Sequence, residues 1–194
     1  MQFRKVVNMI VTLSGITGTG KSFFKDAISK ELGFKNLAIV TTRNKRKNEV
    51  DGIDKEFVND EQLNELKKQG KIAFDFEFLG AKYAYRKEAL QSDELQVTEV
   101  HYSTIYEFKR NAKDVFSIYI IPYDVERAKN ELRKRGLPPK KETQRLQEID
   151  EHIIEYKQNK NLREQFDYVF KNDYTEESKN KLLQVKRNVL KDRR

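Results

Sequence analysis

Apolar positions along the chain fall into short continuous runs that alternate with stretches of helical spacing. Residues 6–13 (VVNMIVTL) are almost continuously apolar and end at Ser14-Gly15, the pattern of a strand buried on both faces of a parallel sheet. Residues 21–32 carry Phe23, Phe24, Ala27, Ile28 and Leu32 at helical spacing and stop at Gly33, a C-cap residue. Leu37 to Val40 reads as a second short buried strand, and 60–69 as a helix with Asn59 or Asp60 as its N-cap. The period then changes to two. Phe74, Phe76 and Phe78 alternate with Asp75 and Glu77, and Leu79-Gly80-Ala81-Lys82 has the make-up of a hairpin turn before Tyr83-Ala84-Tyr85. Beyond it come a strand at 95–100, a helix at 103–111 and a strand at 115–121 stopped by Pro122. A helix at 124–135 ends at Gly136, and a Pro138-Pro139 loop follows. The chain closes with a helix at 142–158, a strand at 166–170 and a helix at 175–191. Strand–helix alternation of this kind predicts an α/β fold: a mostly parallel sheet covered by helices, interrupted by a small antiparallel insert.

Composition narrows the class. At 194 residues the chain is sized for one core with an appended subdomain. Aromatic residues make up 11%, which argues against disorder because such rings bury large areas. Charged residues reach 36%, against roughly 25% in an average domain, and the net charge is +8. That excess is either a solvated surface or the mark of an anionic partner. With no Cys, disulfide scaffolds, thiol catalysis and thiolate metal sites are excluded, and a reducing cytoplasm is the expected location. No run of 18 apolar residues is present, so no membrane contact is expected. Residues 1–13 imitate the charged and apolar parts of a signal peptide, but Asn8 and Thr12 interrupt the apolar part and a Gly-rich motif follows.

That motif carries the chemistry. Gly15-Ile16-Thr17-Gly18-Thr19-Gly20-Lys21-Ser22 fits G-x-x-x-x-G-K-[ST], placed between a buried strand and an amphipathic helix as the mechanism requires. Glycines let backbone N–H groups turn toward phosphate oxygens, and the following helix N-terminus adds positive potential. Gly15, Gly18, Thr19, Gly20, Lys21, Ser22 and Phe23 are expected to surround the phosphates of ATP, with Lys21 on the β/γ-phosphates and Ser22 as the Mg²⁺ ligand.

A second motif follows: Thr41-Thr42-Arg43-Asn44-Lys45-Arg46-Lys47-Asn48-Glu49-Val50-Asp51-Gly52-Ile53-Asp54, then Phe57-Val58. Here the chain resembles the guanylate kinase family, whose members carry T-T-R-x-x-R-x-G-E-x-x-G-x-D-Y-x-F-V at this place. The likeness continues at Tyr83, Arg135-Gly136, Arg145-Leu146, Phe166-Asp167-Tyr168-Val169 and Asn172-Asp173, over about residues 9–190. It implies a P-loop NTPase fold with a three-layer α/β/α core (6–42, 92–134 and 146–194), an acceptor-binding insert (43–91) and a helical lid (135–145). It also implies an ATP- and Mg²⁺-dependent transfer of the γ-phosphoryl group to a nucleoside monophosphate, GMP by default. Arg43 and Arg46 match arginines that grip the acceptor phosphate, where a planar, permanently charged fork suits the task. Glu49 belongs to the same acceptor-binding motif, Tyr83 matches a tyrosine sharing that phosphate, and Arg135 and Arg145 match arginines that close over the transferring group.

The departures concentrate on base reading. Where the family places a glutamate, a serine and an aspartate against the guanine edge, this chain carries Phe74, Tyr85 and His101. Glu99 stands at the first acid of the central pair, which helps organise Mg²⁺, Lys55 replaces a tyrosine, and Glu131 replaces a lid arginine. Losing polar partners of a base edge weakens discrimination. Asp75 or Glu77 offers a substitute carboxylate only if the strand register slips by one. His101 is open to a role in acceptor binding or to plain packing, and His152 reads as solvated.

The changed pocket keeps two alternatives in view: a ribose 1,5-bisphosphate phosphokinase-like enzyme, and a non-catalytic interaction domain of the same fold. The expected partners are small nucleotides, with no sequence-specific nucleic acid; monomer and homodimer both stay open. Lys and Arg gather at 43–47 and 125–145, so the positive charge points to a small polyphosphate ligand.

Overall fold

The computed structural model describes residues 8–46, 49–53, 55–78 and 80–192. Nine strands appear among them: β1 (Met9–Gly15), β2 (Lys35–Asn36), β3 (Ile39–Thr41), β4 (Lys55–Phe57), β5 (Ile72–Phe78), β6 (Ala81–Arg86), β7 (Leu95–Glu99), β8 (Val115–Pro122) and β9 (Tyr168–Asn172). They form a five-stranded parallel sheet in the order β2-β7-β1-β8-β9 and a four-stranded mixed sheet in the order β4-β3-β6-β5. The helices are α1 (Lys21–Leu32), α2 (Asp60–Lys68), α3 (Lys87–Leu90), α4 (Ile105–Asn111), α5 (Val125–Arg133), α6 (Pro139–Gln158), α7 (Lys160–Glu164) and α8 (Glu176–Asp192).

Strand β1 shows why its sequence is nearly continuous in apolar residues. Met9, Val11 and Leu13 point into one buried cluster, shared with Phe24 and Ile28 of α1 and Leu182 and Leu183 of α8. Ile10 points to the opposite cluster, with Phe108 of α4, Tyr119, Leu162 and Phe166. A strand with helices on both faces needs apolar groups at both phases of its pleat.

Helix ends follow the capping chemistry in the sequence. Gly33 closes α1 in the left-handed region (φ 72°), and Asn59 with Gln62 forms a capping box at the start of α2. The residues predicted as strand at 6–7 lie outside the described part.

Several boundaries differ from the sequence reading. The run 37–40 does not form one core strand. Leu37 donates its N–H to Val97 at the edge of the parallel sheet, while Ile39 to Thr41 cross over and pair with β4 and β6. The smaller sheet therefore begins at Ile39 and not after residue 42. Pro139 does not sit in a loop: it opens the 20-residue α6, where its fixed φ suits a first turn. The short helix α7 was not foreseen, and the stretch from 103 opens with a 3-10 turn, Tyr102–Thr104, before α4. The antiparallel hairpin is as expected, with Phe76 opposite Tyr83 and Phe74 opposite Tyr85.

Candidate active site

The loop between β1 and α1 has the geometry of an anion cradle. Gly15, Gly18 and Gly20 all have positive φ (138°, 86° and 81°), conformations that side chains disfavour. Helix α1 starts at Lys21 with no side-chain cap and no acidic residue in its first turn. Its first N–H groups and the positive end of its dipole are thus left for an anion.

The loop is braced from beneath. The Thr19 hydroxyl donates to the Ile16 carbonyl (2.8 Å), so this side chain is spent inside the loop. Asn172, at the end of β9, donates to the Thr19 carbonyl (3.0 Å), and the Tyr174 hydroxyl donates to the Gly18 carbonyl (3.1 Å). Tyr174 itself adopts a left-handed backbone (φ 63°) with Arg127 of α5 lying over its ring. Lys21 Nζ donates to the carbonyls of Gly15 (3.0 Å) and Ile16 (2.9 Å), which leaves the third N–H of the ammonium for a phosphate oxygen. Burial lowers the Lys21 pKa to about 8; Glu99 opposes the drop, and Arg135 and Arg145 add to it.

A cleft of about 250 Å³ opens from this loop toward the smaller sheet. Among the described residues it is lined by six of those singled out from sequence: Gly15, Lys21, Tyr83, Glu99, His101 and Arg145. Thr17, Ile39, Lys55, Phe76, Phe78, Val100, Tyr102 and His152 complete the lining. Burial lowers the pKa of Lys55 as well, with Arg43 adding to the effect and Glu99 opposing it. His101 is pushed down by burial and by its neighbours His152 and Lys21; its Nδ1 meets the Ser103 hydroxyl at 2.8 Å.

The other expected residues stand elsewhere. Arg43 Nη2 donates to both carboxylate oxygens of Glu49 (2.6 and 2.8 Å), and the Arg46 backbone N–H donates to the same carboxylate (2.9 Å). Burial works against that carboxylate, yet these donors hold its pKa below the usual range. Arg46 and Arg135 are exposed, and Arg145 reaches Glu148 (2.6 Å). Ser22 and Phe23 are exposed on the first turn of α1, and Phe23 packs edge to face on Phe24.

Phe74 and Tyr85, matched to base-reading positions, do not line the cleft. Tyr85 is fully buried, with its ring 4.5 Å from that of Phe108 and 5.2 Å from that of Phe74. The two rings therefore serve the core. The Tyr85 hydroxyl has no hydrogen bond of good geometry among the described residues; Thr98 is its nearest polar influence. Tyr85→Phe is thus expected to leave thermal stability unchanged or raised, because an unsatisfied buried hydroxyl costs about 1–3 kcal/mol. A melting curve checks this, and a drop of several degrees would contradict it.

Asp75 points to the other face of β5, where it pairs with Lys67 of α2, and Glu77 is exposed; neither supplies a carboxylate to the cleft. His152, read as solvated, instead meets Tyr102 edge to face inside the cleft. The sequence held a signal for it: His152 follows Arg145 by seven residues, which puts both on one face of α6. Lys55 stands where the resembled motif has a tyrosine, which pointed to the acceptor side. Tyr102 had no such signal, since only the tertiary fold brings it to the cleft.

No cluster of three or more His, Asp, Glu or Cys exists among the described residues. Magnesium beside a polyphosphate needs only one or two oxygen ligands from protein; Glu99 in the cleft carries one such oxygen donor and the exposed Ser22 hydroxyl another. No helix among the described residues is long and apolar enough to cross a membrane.

The family model described as guanylate kinase matches residues 7–188. Similar proteins include guanylate kinases of Streptococcus pneumoniae (28% identical over 171 residues, 85% of this chain and 79% of the relative) and Rickettsia typhi (29% over 178 residues, 89% and 87%). The guanylate kinase of Malacoplasma penetrans is 25% identical over 193 residues, covering 95% of each chain. Among solved structures, guanylate kinase from Anaplasma phagocytophilum superposes with a TM-score of 0.67 at 24% identity, over 94% of this chain and 86% of that one.

Proposed function

Since this chain belongs to the guanylate kinase family, we propose that it moves the γ-phosphoryl group of ATP to GMP across the cleft between the glycine loop and the smaller sheet. One observation carries this reading: Lys21 of the loop, Tyr83 of the insert and Arg145 of α6 line a single cavity. Donor-side and acceptor-side groups face each other there, as in-line transfer requires.

The loop N–H groups and Lys21 would hold the β- and γ-phosphates. Ser22 and Glu99 would hold Mg²⁺, which neutralises phosphate charge when bound. Arg145, with Arg135 nearby, supplies positive charge where negative charge builds on the transferring group. Tyr83 and Lys55 face the acceptor side. Arg43 reaches the acceptor phosphate once the Glu49 carboxylate gives up its guanidinium, and the exposed Arg46 side chain joins it there. On this reading the enzyme works in the cytoplasm.

The direct test is ADP release from ATP–Mg²⁺ with GMP as acceptor. Turnover that depends on GMP is expected; ADP release no faster with GMP than without it would remove the proposal.

A pH dependence follows from Lys21. Its pKa near 8 means the free protein carries the phosphate-binding cation below that pH and loses it above. The kcat/KM for ATP is expected to be level up to about pH 8 and then to fall by up to about tenfold per pH unit. A profile level to pH 9.5 would show that Lys21 keeps an ordinary pKa.

A further inference from the structure

The cleft is walled by rings. Phe76 and Tyr83 stack across the hairpin with centroids 5.4 Å apart and planes 17° from parallel. Phe78 lies against His101 (4.9 Å), His101 against Tyr102 (4.4 Å), and Tyr102 against His152 (5.6 Å). All six line the cavity. Among the described residues its one carboxylate is Glu99, which acts on Lys21 and Lys55 at the phosphate end. The carboxylates of the hairpin, Asp75 and Glu77, are turned to the opposite face of β5, and the Tyr85 hydroxyl is sealed in the core.

A base entering this cleft meets flat ring faces on several sides, with the Tyr102 hydroxyl already given to Glu155, and no carboxylate aimed at its hydrogen-bonding edge. We propose that the acceptor nucleotide is held by the faces of its base, between the Phe76–Tyr83 stack and Phe78 with His101, and that the enzyme accepts purine monophosphates with little discrimination among guanine, hypoxanthine and adenine. This rests on the acceptor being a nucleoside monophosphate. Ring stacking is tolerant of base identity because every base has a π-face. Strong selection needs a buried polar group that the wrong base leaves unpaired; apolar pocket walls alone reject a close analogue by no more than about 200-fold.

The test measures binding and turnover separately. Dissociation constants for GMP, IMP and AMP come from isothermal titration calorimetry, and kcat/KM values come from ADP release. All three are expected to bind within about 200-fold of one another and, where turned over, to give kcat/KM values within the same span. Preference for one base beyond that span, or binding of none, overturns the inference. Purine binding at similar affinity without ADP release would remove the kinase reading and leave face recognition standing.

Phe78→Ala is expected to weaken all three nucleotides alike, by about 5- to 150-fold, the worth of one base–ring stack. Phe78→Tyr should restore them. An alanine variant that is folded by its melting curve yet binds every purine as before, or loses one purine only, also overturns it.

Discussion

Lys21→Met is expected to lower kcat by about 10²–10³-fold, the cost of removing one charge-stabilising donor from a phosphoryl-transfer site. The melting temperature should stay level or rise. The ammonium is half-buried, and its lowered pKa shows that the fold disfavours the charged form. The sign is fixed by linkage. Between about pH 8 and the ordinary lysine pKa the unfolded chain binds more protons than the folded one, so the charged form costs stability at neutral pH. Methionine keeps the length and removes that cost, while the Gly15 and Ile16 carbonyls lose their donor. The two effects oppose each other, so the loss appears in activity and not in folding. Steady-state kinetics and a melting curve on the same preparation separate them. Activity within tenfold of the parent would mean that Lys21 does not contact the transferring phosphate.

Gly15→Ala should act on folding. A Cβ at this position would lie 2.1 Å from the Ile120 carbonyl oxygen and 2.9 Å from two further backbone atoms of Ile120, at a φ of 138°. Gly15 and Ile120 are partners in the β1–β8 ladder, so relief means separating two central strands. A loss of at least about 4 kcal/mol is expected, which in a chain of this size is a fall of about 10 °C or more in melting temperature. Gly33→Ala is the control. It also has positive φ (72°), but nothing lies within 4 Å of its added Cβ. Only the left-handed strain of about 1–2 kcal/mol remains there, a shift of a few degrees. Equal melting temperatures for the two variants would show that β1 and β8 part easily.

Local chemistry was legible in the sequence, and long-range placement was not. The glycine loop, the Gly33 cap, an N-cap at Asn59 or Asp60 and the alternating hairpin follow from residues within one or two turns of each other. Three other features required the fold. Phe74 and Tyr85 share a face with Phe76 and Tyr83, and period two cannot tell which pair meets Phe108 and which meets the cleft. The run 37–40 is apolar in either sheet, so its crossover depends on partners 16 to 44 residues away in β4 and β6. Pro138-Pro139 reads as a break until the second proline is seen to occupy the first turn of α6.

Helix α6 has the proportions of a lever arm. It is one uninterrupted rod of 20 residues, and its far end is pinned at Asn159, which caps α6 and also accepts the Leu162 N–H at the start of α7 (3.0 Å). Arg145 stands about 21 Å along the rod from that pivot and His152 about 10.5 Å, at 1.5 Å per residue. A swing of only about 10° at Asn159 would carry Arg145 through about 3.7 Å and His152 through about half of that. Small angular play at a remote joint would thereby be magnified to a full hydrogen-bond length at the phosphate, with half that travel at His152 on the aromatic wall.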